Sequence, residues 1–254
     1  MATNDRVTVE TLEVGRTGDD TLLADLYCPP HPNGAGILLI HGGSFIHGDR
    51  GQLRGYGIGL GRLGYTSMAC EYRLAPNHKW PAQLDDVVAA LARFHHLGPQ
   101  LGLDSGAIAV WGNSAGGHLA LMAAALTENP VAAVVALYAP TDFLGQAPRA
   151  YRSPAAMKFL LGDDVSEERV ASISPINYAR PDFPPTLFLT GNHDELVDWH
   201  DSLHMYLRLT DVGAASELHI FDGAGHAFDA IPEYGRRCLD LAALFLGRHL
   251  VAHS

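Results

Sequence analysis

The chain has 254 residues, 47 % of them hydrophobic, enough for one large domain with a sizeable core. A formal charge of −11 argues against a nucleic-acid partner, whose phosphates would repel it. No run of 18 apolar residues offers a membrane span, and the polar start MATNDRVTVE lacks the regions of a signal peptide, which points to the cytoplasm.

In chain order, Val7 to Val14 alternates apolar and polar, the period of a half-buried strand, and Thr21 to Tyr27 pairs with it across the turn-rich GRTGDD. Ile37 to Ile40 is a short, fully apolar run followed at once by HGGSF, and Tyr65 to Tyr72 is a further strand. Leu84, Val87, Val88 and Leu91 fall at i, i+3, i+4 and i+7, one face of a helix. Ile108 to Trp111 reads as a strand, Ala115 to Leu126 as a helix, and Val131 to Tyr138 as a strand. Thr186 to Thr190 and Glu217 to Phe221 are two more strands, with a helix marked by Leu203, Tyr206 and Leu207 between them. Cys238, Leu241 and Phe245 mark a last helix.

Short apolar strands separated by helices define an α/β class with a mostly parallel sheet covered on both faces and an antiparallel N-terminal hairpin at one edge. Residues 1–254 form one domain in this reading. Phe143 to Tyr178, rich in proline and poor in strand signals, interrupts the alternation and is expected above the strand ends as a lid. Cys28, Cys70 and Cys238 are far apart and odd in number, which suits free, mostly buried thiols.

In an open α/β sheet, ligands bind beyond the carboxyl ends of the strands. Four turns leave strands there: His41-Gly42-Gly43-Ser44-Phe45, Gly112-Asn113-Ser114-Ala115-Gly116-Gly117, Gly191-Asn192-His193-Asp194 and Gly223-Ala224-Gly225-His226. Gly112-x-Ser114-x-Gly116, set between a strand and a helix, fits a nucleophile elbow, in which the residues two before and two after the serine are crowded. A serine hydroxyl needs a base, and the base needs an orienting carboxylate. Of the histidines from His118 onward, His118 lies on the serine's own helix and points away from its tip. His200 and His204 are four apart on a probable helix face with no third metal ligand, and His249 and His253 lie in the last helix or tail. His226 remains, on a glycine-flanked loop. The acid is expected at the end of the preceding strand, at Asp194, with Glu195 and Asp198 as neighbouring alternatives. An oxyanion would be met by the backbone N–H of Ala115 and those of Gly42 and Gly43.

HGGSF, YRLAP, GNSAGG, GNHDELV and GAGHAF, in that order, resemble the α/β-hydrolase superfamily, and more narrowly the hormone-sensitive-lipase-like esterases and the allied short-chain group that includes feruloyl-esterase-like proteins. The resemblance implies a Ser114–His226–Asp194 triad, an oxyanion hole from Gly42, Gly43 and Ala115, and a structural His41. It departs at Ser44, where those esterases carry a third glycine, and in the absence of a long helical segment before His41. Asn113 stands where many members have Asp or Glu, with no expected effect on the triad. The implied activity is hydrolysis of small, soluble carboxylic esters through an acyl-enzyme, without metal or cofactor. An aryl-formamidase or other amidase would use the same machinery, and a non-catalytic binding protein would need a lost triad residue. The expected partner is a small-molecule ester, with no nucleic acid or membrane, and a homodimer is left open.

Overall fold

The computed structural model describes residues 6–18, 20–145 and 149–251. Among these residues eight strands form one sheet: β1 (Thr8–Thr17), β2 (Asp20–Cys28), β3 (Gly36–Ile40), β4 (Thr66–Cys70), β5 (Ile108–Asn113), β6 (Ala133–Leu137), β7 (Thr186–Gly191) and β8 (Ser216–Phe221). Their order is β1-β2-β4-β3-β5-β6-β7-β8, parallel from β4 to β8, with β1 and β2 antiparallel at one edge. The hairpin turn is tighter than GRTGDD suggests: β1 runs on through Gly15, Arg16 and Thr17, and its register against β2 shifts between Glu13 and Gly15.

The described residues form seven α-helices: α1 (Arg54–Arg62), α2 (Ala82–Leu101), α3 (Ala115–Leu126), α6 (Trp199–Asp211) and α7 (Pro232–Leu250), which pack on the sheet, and α4 (Pro154–Leu161) and α5 (Glu167–Ala171) in the segment between β6 and β7. Successive side chains of a strand point to opposite faces, and β3 divides accordingly. Leu38 and Ile40 join a core with Leu91 and Phe94 of α2, Leu119 and Met122 of α3, and Met205 of α6. Ile37 and Leu39 join a second core with Leu60 of α1 and Phe245 and Leu246 of α7. Truncating a fully buried aromatic such as Phe94 to alanine in such a core costs about 3–5 kcal/mol.

Helix α3 is apolar and buried nearly all round, from Ala115 to Ala124, as expected of a helix at the centre of a layer. The segment between β6 and β7 carries α4 and α5; the helical patch seen at Met157–Leu161 belongs to α4. Ser153 caps α4 by accepting from the Ala156 N–H, with Pro154 at its first position. Phe143, Met157, Leu160, Leu161, Val170 and Ile173 are buried in the first core, so the segment is anchored to the domain at these positions. Pro148, one of its prolines, and His253 lie outside the described residues.

Candidate active site

Strand β5 ends at Asn113, and α3 begins at Ala115, so Ser114 alone makes the turn. Its φ of 54° and ψ of −120° lie outside the conformations L-residues prefer. The crowding that enforces this geometry is explicit. A Cβ at Gly112 would lie 2.0 Å from the Gly116 carbonyl oxygen, and one at Gly116 would lie 2.0 Å from that of Ile40. Both glycines are therefore required by contact with backbone, as the elbow pattern demands.

The loops after β7 and β8 bring the partners in. Gly191 passes so close to Ala224 that a Cβ would lie 2.2 Å from the Ala224 oxygen, and the His193 N–H donates to that same oxygen at 3.0 Å. On these joined loops, His226 Nε2 lies 3.0 Å from Ser114 Oγ and His226 Nδ1 lies 2.7 Å from Asp194 Oδ2. The Asp194 side chain is fully buried and the His226 side chain is 17 % exposed. Asp194 Oδ1 accepts from the backbone N–H groups of Leu196 and Val197 at 2.8 and 2.9 Å, which fixes the carboxylate.

The alternatives are engaged elsewhere. Asp198 caps α6, accepts from His200 and pairs with Arg149 at 3.0 Å. Burial opposes its ionisation, but the hydrogen bonds from His200 and Arg149 hold its carboxyl down at about 2. Glu195 is exposed. His118 is fully buried among Phe45, Trp80 and Phe143, with its Nε2–H donating to the Ile173 carbonyl at 2.7 Å. His200 and His204 are exposed, and no group of three metal-ligating side chains occurs among the described residues.

The glycine loop after β3 lies directly against the elbow. A Cβ at Gly42 would lie 3.3 Å from Ser114 Cβ and 2.9 Å from the Asn113 oxygen. Gly43 has a φ of 118° and accepts from the Ile46 and His47 N–H groups, closing the turn. Ala115 is the first residue of α3, so its N–H has no acceptor within the helix. His41 is buried, and burial pushes its imidazole below the usual histidine range. It stays neutral, donates from Nδ1 to the Gly42 oxygen at 2.7 Å and stacks on Tyr72 at 4.2 Å. The Tyr72 hydroxyl donates back to the His41 carbonyl at 3.0 Å, so His41 braces the glycine loop.

Two cavities meet at Ser114 and His226. The larger, about 630 Å³, has Gly42, Gly43, Tyr56, Asn113, Tyr138 and Asp229 in its wall. The smaller, about 380 Å³, is walled by apolar residues that include Phe45, Pro140, Phe143, Met157 and Leu160. Sequence reasoning missed the polar cluster in the larger cavity: the Asp229 carboxylate receives hydrogen bonds from Tyr56, Tyr138 and Asn113. Burial, and then the Asp229 charge, pushes both phenols well above their usual range, so they remain protonated donors.

A parallel sheet with this strand order, a strained serine between β5 and α3, and a histidine and aspartate delivered by the last two strand ends define the α/β-hydrolase class. Within it, the BD-FAE family model matches residues 24–209, and the chain belongs to that family. Esterase LipC of Mycobacterium tuberculosis is 29 % identical over 216 residues, which are 77 % of this chain and 53 % of LipC. The chain thus spans about half the length of that relative. Ethyl acetate hydrolase of Pseudomonas putida is 29 % identical over 82 % of this chain and 71 % of its own. Among solved structures, a bacterial heroin esterase superposes with a TM-score of 0.83 at 27 % identity, covering 99 % of this chain and 87 % of that one. No helix among the described residues is long and apolar enough to cross a membrane.

Proposed function

We propose that the protein is a serine hydrolase of small carboxylic esters, with Ser114 as nucleophile, His226 as general base and Asp194 as the carboxylate that orients it. The observation that carries this reading is the position of His226, within hydrogen-bond reach of both Ser114 Oγ and Asp194 Oδ2. Ser114 Oγ attacks the ester carbonyl carbon while His226 Nε2 takes its proton. The N–H groups of Gly42, Gly43 and Ala115 receive the oxyanion, and the N-terminal end of α3 favours its charge. The imidazolium then protonates the departing alcohol, leaving an acyl-serine. Water, deprotonated by His226, attacks the acyl carbon and releases the acid. The Asp194 carboxylate holds the imidazole by Nδ1. These steps use only groups of this chain. The names of the relatives, esterase and ethyl acetate hydrolase, support the ester as substrate class. The segment 143–178 acts in this reading as the cover of the apolar cavity, and the unpaired Cys28, Cys70 and Cys238 support a reducing, cytoplasmic setting.

Hydrolysis of p-nitrophenyl butyrate by wild type and Ser114→Ala tests the assignment. The variant should fold normally, since alanine meets the same backbone strain as serine, and should lose about 10³- to 10⁶-fold in kcat. A fluorophosphonate should label wild type at Ser114. Turnover by the variant close to wild type would refute the nucleophile.

A further inference from the structure

We propose that Asp229 is a positioning residue for His226, acting as the common acceptor that fastens the histidine loop to the shoulder of the nucleophile. The inference rests on the roles given above to Ser114 and His226.

Asp229 lies three residues after His226, in the short helical turn Phe228–Ala230. Its two oxygens take up donors from three other parts of the chain. Oδ1 accepts from the Tyr138 hydroxyl at 2.6 Å, and Oδ2 from Asn113 Nδ2 at 2.7 Å and the Tyr56 hydroxyl at 2.9 Å. Asn113 immediately precedes Ser114. Its Nδ2 also donates to Tyr138, and its Oδ1 accepts from Trp111 Nε1, so its orientation is fixed from both ends. Tyr138 follows β6 at a φ of 38°, and its ring meets the His226 ring edge-on at 4.7 Å. Ala227, between His226 and this cluster, is itself held at a φ of 55°. The carboxylate thus joins the backbone that carries the base to the residue beside the nucleophile, and it holds the aromatic ring against which the base rests. An amide at 229 would set an NH2 group against the NH2 of Asn113 or leave a phenol without its acceptor, and a carboxylate at 113 would face Asp229 at hydrogen-bond distance. Exchanging both restores one carboxylate and one amide across the contact.

The test uses wild type, Asp229→Asn, Asn113→Asp and the double exchange. It reads kcat and KM on p-nitrophenyl butyrate, the rate of inactivation by a fluorophosphonate, and the melting temperature. Each single change should lower kcat and the inactivation rate by about 10- to 100-fold with KM within about threefold, the scale on which a small misplacement of a reacting group is felt. The double exchange should lose at least about tenfold less in both rates than the product of the two single losses, a coupling that independent sites do not show. A folded Asp229→Asn with wild-type rates, or a double exchange whose losses simply multiply, overturns the proposal. If Asp229→Asn is unfolded at the assay temperature, Tyr138→Phe decides, since it removes one hydroxyl and no charge. A several-fold fall in both rates supports the role and unchanged rates overturn it. Wild type that is labelled by the fluorophosphonate but turns over no ester refutes the ester reading alone, and the inactivation rates then judge Asp229. Wild type that is not labelled ends both.

Discussion

Acid should unfold this protein partly through one histidine that has no part in the proposed chemistry. His118 is fully buried on α3, with Phe45, Trp80 and Phe143 around its ring. Its Nε2–H is committed to the Ile173 carbonyl, and its Nδ1 has no hydrogen-bond partner among the described residues. A proton on Nδ1 would leave a charge in an apolar pocket with nothing to accept its hydrogen. Burial accordingly pushes the group from 6.5 down to about 4. The unfolded chain binds this proton more readily than the folded one, so the contribution to stability is fully present above pH 6.5 and is lost as pH falls from 6.5 towards 4. At about 1.4 kcal/mol per unit, the loss approaches about 3 kcal/mol, a large share of a typical domain's stability. His118→Gln keeps a donor for Ile173 and removes the titration. Urea unfolding at pH 7, 6, 5 and 4 should show wild type losing about 3 kcal/mol more than the variant over that range. Parallel pH dependences for the two proteins would refute the argument.

Asp194→Asn should cost about 10⁴ in kcat, because the amide favours the wrong imidazole tautomer, whereas Asp198→Asn, whose carboxylate is engaged by His200 and Arg149, should cost far less; the reverse ranking in steady-state assays would move the acid to Asp198. Gly43→Ala should lower the melting temperature as well as activity, since a Cβ there would lie 1.9 Å from the His47 oxygen; a variant as heat-stable as wild type would contradict the crowding. Efficiency on p-nitrophenyl esters should peak between acetate and hexanoate, because each methylene is worth about 0.8 kcal/mol only while the cavity behind Phe143, Met157 and Leu160 can bury it. A maximum at laurate or beyond would show a deeper channel.

The parts of the molecule that were legible in the sequence are those governed by short-range rules. Fully apolar runs such as ILLI became β3, and the glycines around Ser114 sit where contact with backbone forbids any side chain. Asp194 and His226 could be singled out because each directly follows a strand, in the chain order nucleophile, acid, histidine. Helix α1 has no clear signal in the sequence, because RGYGIGLGR carries four glycines, among the poorest helix formers. Its glycines serve packing instead: a Cβ at Gly57 would lie 2.7 Å from the Tyr27 ring, one at Gly59 2.6 Å from Leu239, and one at Gly61 2.8 Å from Val7. The Asp229 cluster was invisible for a different reason. Asn113 and Tyr56 stand 116 and 173 positions from Asp229, and no local pattern marks a tyrosine whose hydroxyl will be needed there. Asn113, for which the sequence suggests no effect on the triad, bridges Trp111, Tyr138 and Asp229 with its side chain.

The strands that carry the three central side chains are not equally sheltered. β5 and β7, which deliver Ser114 and Asp194, are buried at every position, while β8, which delivers His226, is the outermost strand and only half-buried. Local opening begins where fewest apolar contacts must be broken. On warming, β8 should therefore loosen while the centre of the sheet is still intact, and its amide protons should exchange with solvent sooner than those of β5.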